Sequence, residues 1–386
     1  MKLTLQRRCL QWARQRAGLS IPELAHKLKI KDATVTAWEE SGELTWSLVE
    51  KLANVTHTPL GYLFLPTPPV ETLPIQDFRT VQTQDIAQPS PDLLDTVNEA
   101  LRRQDWYRDY IRNNGGELLT FVGSLTIASP LDVAVKRIRE VIAWRVDSRG
   151  ESFSWTNALP RFIAAVENVG ILVMRNGIVG NNTHRTLDIT EFRGFALSDY
   201  YAPLIFINGR DAKAAQMFTL AHELVHIWLG ESGVSNLTLT YAPAIAVERF
   251  CNTVAAELLV PLTELRTTWA KNAADPDNIS ETARYFGVSS LVILRRLRDA
   301  ELLSESDFRR RYNDEIVQFN QRAPAHKEGG GDFYRTLGAR LGKRFVSALV
   351  ESTLEGGTPY REAFQLLGVK NAESVRKLAS TLGDAA

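Results

Sequence analysis

Two histidines and the glutamate between them carry the clearest chemical signal in this chain. They lie in the stretch Phe218-Thr-Leu-Ala-His-Glu-Leu-Val-His226. On a helix, residues four positions apart share a face with Cβ atoms about 6 Å apart, so the imidazoles of His222 and His226 can bind one zinc ion. Glu223 is then placed to accept a proton from metal-bound water. This HExxH pattern predicts a hydrolytic zinc site; the alternative is a surface helix whose two histidines merely pack or titrate.

A catalytic zinc site needs a third protein ligand and keeps its fourth position for water. The longer HExxHxxGxxH motif, which would supply a third histidine, is not present, because Leu229 and Ser232 occupy its glycine and histidine positions, and the only later histidine, His326, lies far downstream. An acidic side chain on a second helix is the remaining common solution, and the downstream candidates are Glu231, Glu248, Glu257 and Glu264. Glu248 and Glu257 would lie on opposite faces of one helix, so both cannot reach the metal. We expect Glu248 to be the third ligand, with Glu257 as the fallback.

Four further residues have candidate supporting roles. Asn252 follows Glu248 by one helical turn, so it can orient a ligand histidine through the free ring nitrogen. Stabilising the transition state needs one more donor, and the candidates, which the sequence does not rank, are His184, Tyr201 and Tyr241. The substrate would lie extended beside Leu204–Ile207, which we predict to be an exposed edge strand.

The HExxH segment and a second segment downstream resemble a known family. The second segment reads Glu248-Arg-Phe-Cys-Asn-Thr-Val-Ala-Ala-Glu-Leu-Leu-Val-Pro261. Together they resemble the HExxH and ExxANxFAxxLLxP motifs of the ImmA/IrrE zinc metallopeptidases. Cys251 replaces the usual alanine and Val254 the usual phenylalanine, which we interpret as packing differences. The resemblance covers about residues 130–300 and extends more loosely to Asp77-Phe-Arg79.

The resemblance implies a fold, a cofactor and a type of substrate. The fold is a gluzincin-like α+β domain, and the cofactor is Zn²⁺ held by His222, His226 and Glu248. The activity is limited proteolysis of a regulatory protein, which we expect to be a repressor-like or toxin-like protein encoded nearby.

The N-terminal part of the chain reads as a separate helical module. Residues 7–64 show four or five short helical patterns, and Ile30–Glu39 resembles the recognition helix of the Cro/repressor-type (XRE) helix-turn-helix family. Such a helix enters the DNA major groove with its N-terminal side chains. Lys31, Thr34 and Thr36 are therefore the candidate DNA-contacting residues. A docking or dimerisation module is the alternative interpretation.

Turn and proline signals divide the chain into five parts. We predict a helix-turn-helix domain at 1–66, a linker and helical connector at 67–128 and a metallopeptidase domain at 129–265, followed by helical regions at 266–322 and 332–386. Strand patterns occur only between about residues 170 and 207. The expected fold class is mainly α with a small β-sheet, that is, α+β.

Composition and charge exclude several other classes. Forty-five basic and forty-five acidic residues give no net charge, so no global field draws the chain to nucleic acid or membranes. Two cysteines cannot form a disulfide framework or a four-thiolate zinc site. Because the sequence shows no signal-peptide or membrane-spanning pattern, we expect a cytoplasmic protein. A homodimer is one possible state of this protein. The alternative function is a DNA-binding regulator or antitoxin-like protein whose metal site is structural or rarely used.

Overall fold

The computed structural model describes residues 2–78, 88–144, 158–235, 246–271, 278–321 and 333–383. Two compact units are present, one made of Met1–Pro74 with Asp85–Asn98 and one of Ile75–Gln84 with Glu99–Ala386. The described residues are mostly helical with small sheets. The predicted fold class, mainly α with a small β-sheet, is confirmed. No helix in the described ranges is both long and apolar enough to cross a bilayer.

The first unit is a small helical bundle with its own core. Its elements are β1 (Lys2–Thr4), α1 (Arg7–Arg16), α2 (Ile21–Leu28), α3 (Asp32–Ser41), β2 (Glu43–Thr45), α4 (Trp46–Thr56), a 3₁₀ turn (Leu60–Phe64) and the start of α5 (Pro91–Asn113). The sequence predicts that Ser20 caps the start of α2, and the structure agrees: the Ser20 hydroxyl and the Glu23 carboxylate each accept a hydrogen bond from the other residue's backbone N–H. Buried Val35 and Trp38 of α3 pack into the shared core.

The second unit surrounds a five-stranded sheet with helices. In chain order its elements are β3 (Gln76–Asp77), the rest of α5, α6 (Leu131–Ile142), α7 (Ala158–Asn168), β4 (Leu172–Asn176), β5 (Ile178–Val179), β6 (Asn182–Thr186), β7 (Gly194–Leu197), β8 (Leu204–Asn208), α8 (Lys213–Leu229), β9 (Gly233–Ser235), α9 (Ala246–Leu259), α10 (Leu262–Lys271), α11 (Asn278–Phe286), α12 (Ser290–Asp299), α13 (Glu305–Gln321), α14 (Phe333–Leu341), α15 (Lys343–Leu354), α16 (Tyr360–Leu367) and α17 (Ala372–Gly383). The sequence predicts a helix that opens at Ser129-Pro130 and runs through about residue 147. Helix α6 ends earlier, because Ala143 adopts a left-handed conformation; residues 145–147 lie outside the described ranges.

The strand order of the large sheet corrects one expectation. The order is β3-β9-β7-β8-β4, with β8 antiparallel to β7 and parallel to β4. The prediction that Leu204–Ile207 forms an exposed edge is therefore wrong. All five residues of β8 are buried, as expected for a strand covered on both faces. The apolar run correctly indicated a strand, but its position in the sheet depends on β4, which pairs with it from thirty residues earlier in the chain.

Helix α8 lies at the centre of this unit. It packs against the sheet through β7 and β8 and against the helices α7 and α9. Every residue from Gln216 to Trp228 is buried, so the HExxH residues are part of the interior. Helix α9 packs on α8 and shares its core through the buried residues Cys251, Val254, Ala255, Leu258 and Leu259.

Candidate functional site

Helix α8 brings the rings of His222 and His226 together inside the protein. Both side chains are fully buried, and their Nε2 atoms lie 3.1 Å apart. The helix ends at Gly230, whose φ of 75° belongs to the left-handed region that terminates helices. Two converging, buried imidazoles argue against histidines that merely titrate on a surface.

Glu248 approaches both rings from the first turn of α9. Its carboxylate oxygens lie 3.3 Å from Nε2 of His222 and 3.1 Å from Nε2 of His226. Ligand atoms bound tetrahedrally to one zinc ion are about 3.3–3.4 Å from one another. The three side chains therefore have nearly the mutual spacing that a shared zinc ion requires, so the chain's donors fit this metal.

The protonation states of these groups also suit metal binding. Burial lowers the pKa of His226, which favours the neutral imidazole that coordinates metals. Burial raises the pKa of Glu248, but the two histidines outweigh this effect and hold the pKa well below its usual range. The site thus combines a neutral ring with an ionised carboxylate.

Asn252 contacts the ring of His222. Its side-chain oxygen lies 3.0 Å from Nδ1 of His222. An amide oxygen can only accept, so Nδ1 donates its hydrogen to Asn252, which leaves Nε2, the nitrogen that faces Glu248, as the nitrogen that can bind a metal. This contact places Asn252 where the sequence predicted an orienting residue.

Glu223 is fully buried beside this cluster. Burial and the charge of Glu248 raise the pKa of Glu223 well above its usual value, while the Ser235 hydroxyl opposes the rise. A raised pKa makes the ionised carboxylate a stronger base, which suits Glu223 to accepting a proton during a reaction.

Gly194 allows the sheet to approach Glu223. A Cβ atom at this first residue of β7 would lie 2.6 Å from Thr219 Cγ2, 2.9 Å from the Phe206 carbonyl oxygen and 3.2 Å from Glu223 Cγ. Only glycine fits without displacing backbone or the catalytic candidate.

The central third of the chain is similar to a known protein family. Residues 166–298 match the IrrE N-terminal-like domain, a family of peptidases. This IrrE-like segment contains α8 and α9, and the match supports the ImmA/IrrE resemblance. Residues 341–381 match a domain of unknown function. Comparison with curated proteins gives no significant match.

Within the IrrE-like segment, Cys251 is closer to the histidines than the sequence suggested. Its Sγ atom and one ligand nitrogen from each of His222 and His226 all lie within 4.8 Å of one another, so the three residues could hold a metal ion. Burial, followed by the charges of Glu248 and Glu223, raises the pKa of the Cys251 thiol well above its usual value. Zinc binds the thiolate, so the ionised Glu248 is the better third donor. The signal available in the sequence was the spacing: Cys251 follows Glu248 by three residues, so the two side chains lie on the same side of one helix.

Phe78 is a second contact that sequence reasoning missed. Its ring stacks on His226 with centroids 5.2 Å apart and planes 15° from parallel. Strand β3, which ends at the preceding residue, pairs with β9. A Cβ atom at Gly233 would lie 2.2 Å from the Phe78 ring, so glycine leaves the space that this ring occupies. Only the loose resemblance at Asp77-Phe-Arg79 pointed to this position; Arg79 lies outside the described residues.

The other acidic candidates have different surroundings. Glu257 binds the buried Arg296 and accepts the backbone N–H of Leu262, so the fallback ligand is engaged away from the histidines. Glu264 accepts the hydroxyl hydrogen of Tyr285. Burial, followed by the charge of Glu248, raises the pKa of Glu231.

The three candidate transition-state donors remain predictions. His184 is exposed on β6, which belongs to a separate two-stranded sheet. The Tyr201 ring lies 5.7 Å from the Arg112 guanidinium. In the chain, Tyr201 comes after the C-terminal end of β7, whereas Gly194 is the first residue of that strand. Tyr241 lies outside the described residues.

The candidate DNA-contacting residues lie on or beside α3 in the first unit. Lys31 and Thr34 are exposed, and Thr36 is half-buried and donates its hydroxyl hydrogen to the Asp32 carbonyl oxygen at 3.2 Å. Arg14 makes two hydrogen bonds, of 2.6 and 2.9 Å, to the carboxylate of Glu39. This little-exposed ion pair ties α1 to the C-terminal part of α3 and leaves the N-terminal part of α3 accessible.

Proposed function

We propose that the IrrE-like segment is a zinc-dependent endopeptidase. The observation that carries the proposal is the convergence of His222, His226 and Glu248, whose ligand atoms lie 3.1–3.3 Å apart with buried Glu223 adjacent. Two neutral imidazoles and one carboxylate are a common donor set of catalytic zinc sites. A bound zinc ion would supply an activated water and polarise the carbonyl of the peptide bond.

The chain's own residues would handle the proton and hold the geometry. Glu223 would accept the proton of the attacking water and pass it to the leaving amine. Burial beside Glu248 raises its pKa, which makes the ionised carboxylate a stronger base. Asn252 would keep Nε2 of His222 directed at the metal, and Phe78 would restrict rotation of the His226 ring.

The proposed substrate is a repressor-like or toxin-like regulatory protein encoded nearby, cleaved at a limited number of sites. Support for this finer assignment comes from the ImmA/IrrE resemblance and from the helical module in the first unit. A helix-turn-helix module can dock onto a similar module of a repressor, which would bring one particular protein to the peptidase.

The decisive experiment incubates the zinc-loaded full-length chain with purified proteins encoded next to it and identifies fragments by mass spectrometry. We expect one or a few defined cleavages that disappear with a chelator and in Glu223→Gln. Glu264→Gln, a change outside the cluster, is the matched control and should cleave normally. Uptake of no zinc, or full cleavage by Glu223→Gln, would contradict the proposal.

A DNA-binding regulator is the second candidate function. The observation in its favour is the accessible N-terminal part of α3, with Lys31 and Thr34 exposed. An operator-binding assay discriminates the two functions, because a regulator binds a specific sequence tightly whereas a docking module does not. Replacing Lys31 with alanine should weaken such binding, and the assay's protein-to-DNA stoichiometry also tests the expected homodimer.

A further inference from the structure

A cavity of about 600 Å³ lies in the second unit, and its lining includes none of the residues of the metal cluster. Its walls come from β4, α7, α14, α17 and the start of α15. Strand β4 is at one edge of the large sheet, whereas β9 and β3 are at the other. The volume is in the range of small-molecule sites.

Arg175 is the chemically unusual residue of this cavity. It is half-buried on β4, and burial alone lowers its pKa. Among the described residues its guanidinium has no hydrogen-bond or ion-pair partner. Keeping a partly desolvated charge without a partner is unfavourable for folding, so this residue is better explained by a ligand than by stability.

The remaining charged residues of the wall leave the cavity positive. Among the described residues, Arg335 and Lys343 also line it, together with one acid, Glu167. Glu167 accepts the backbone N–H of Arg344 at 3.2 Å, and burial raises its pKa to about 7. The acid therefore cancels only part of the positive charge near neutral pH.

Apolar side chains and one glycine define the rest of the space. Ile163, Val173 and Leu378 line the cavity, and Val173 shares the face of β4 with Arg175 because strand side chains alternate. Gly338 lies inside α14, where glycine costs about 1 kcal/mol relative to alanine. A Cβ atom there would meet nothing within 4 Å, so this glycine keeps the cavity open rather than avoiding a clash.

We propose that this cavity binds a small organic anion whose carboxylate or phosphate group pairs with Arg175. The apolar or aromatic body of the ligand lies against Ile163, Val173 and Leu378. The segment at 341–381, which matches a domain of unknown function, contributes Leu378 and Lys343 to the wall. This site is independent of the proposed peptidase activity.

The test measures binding to the full-length, metal-free chain by calorimetry and thermal unfolding, so that anions cannot bind through zinc. The probes are phenyl phosphate, benzoate and the neutral benzamide. We expect one or both anions to bind and raise the melting temperature, with benzamide binding at least tenfold more weakly. Tighter binding of phenyl phosphate identifies a phosphate ligand, and tighter binding of benzoate a carboxylate.

Three variants decide whether Arg175 and the cavity are responsible. Arg175→Met should weaken anion binding about 10- to 100-fold, the effect of losing a charge-assisted hydrogen bond, without lowering the melting temperature of the free protein. Gly338→Leu should block binding by filling the cavity, and Arg376→Met, an exposed arginine of α17 outside the cavity, should bind normally. The proposal is overturned if neither anion binds, if Arg175→Met binds normally, or if it unfolds more easily, which would reveal a structural role.

Discussion

The side-chain oxygen of Asn252 lies 3.0 Å from Nδ1 of His222, and the opposite nitrogen of the same ring faces Glu248. Helix α9 therefore contacts the His222 ring through two side chains, Glu248 and Asn252. We expect Asn252→Ala to lower zinc affinity about 10- to 100-fold, because outer partners orient ligand histidines. Competition with a chromophoric chelator measures the change. Thr253→Ala, at an exposed neighbouring position, should bind zinc like the natural chain; equal affinities in both variants would argue against an orienting role.

Glu223 and His222 are adjacent in sequence, but we predict that substitutions at these two positions have different effects on zinc binding. Glu223→Gln should retain one zinc ion per chain and lose cleavage, because the carboxyl is a proton acceptor and not a ligand. His222→Ala should lose both zinc and cleavage. Metal analysis after dialysis, beside the cleavage assay, separates the two effects. Loss of zinc from the glutamine variant would instead make Glu223 part of the ligand set.

Glu248 and Glu257 provide a comparison within one helix. Glu248→Ala should lose high-affinity zinc binding, because it removes the carboxylate that faces both histidines. Glu257→Ala should keep zinc but lower the free energy of unfolding by about 1–3 kcal/mol, because buried Arg296 loses its carboxylate partner. Denaturant titration and metal analysis of both variants check this. Loss of zinc from Glu257→Ala alone would instead identify Glu257 as the third ligand.

Gly194 should be intolerant of a side chain. In Gly194→Ala the new Cβ atom would contact Thr219, the Phe206 carbonyl and Glu223. We expect a loss of about 1–3 kcal/mol in stability, typical of overpacking, and a fall in kcat that exceeds any loss of zinc. Gly61→Ala is the control, because its Cβ would meet nothing within 4 Å. Normal turnover by Gly194→Ala would show that Glu223 tolerates displacement.

Glu167 should make stability depend on pH. Burial raises its pKa from 4.5 to about 7, so between these values the folded chain binds more protons than the unfolded chain. Raising the pH through this window therefore destabilises the folded state, by up to about 3 kcal/mol above pH 7. Relative to the natural chain, Glu167→Gln should gain stability as pH rises from 4.5 to 7. The same difference in unfolding free energy between Glu167→Gln and the natural chain at every pH would refute this. The control is Glu362→Gln, a substitution at an exposed residue of α16.

The sequence alone determined the features that depend on local spacing. The four-residue separation of His222 and His226 fixes their common helix face, and Ser20, as the cap, marks the start of α2. Apolar runs likewise indicated β4, β7 and β8. Each of these follows from backbone periodicity and capping within a few residues, so no distant partner is needed to predict them.

Only the tertiary structure decided which segments meet. The position of β8 inside the sheet, the stacking of Phe78 on His226 and the closeness of Cys251 to both histidines depend on contacts between distant parts of the chain. The cavity around Arg175 likewise joins β4 to helices more than 150 residues further on. Local pattern shows which face of an element is apolar, but packing of the whole chain selects the partner that covers this face.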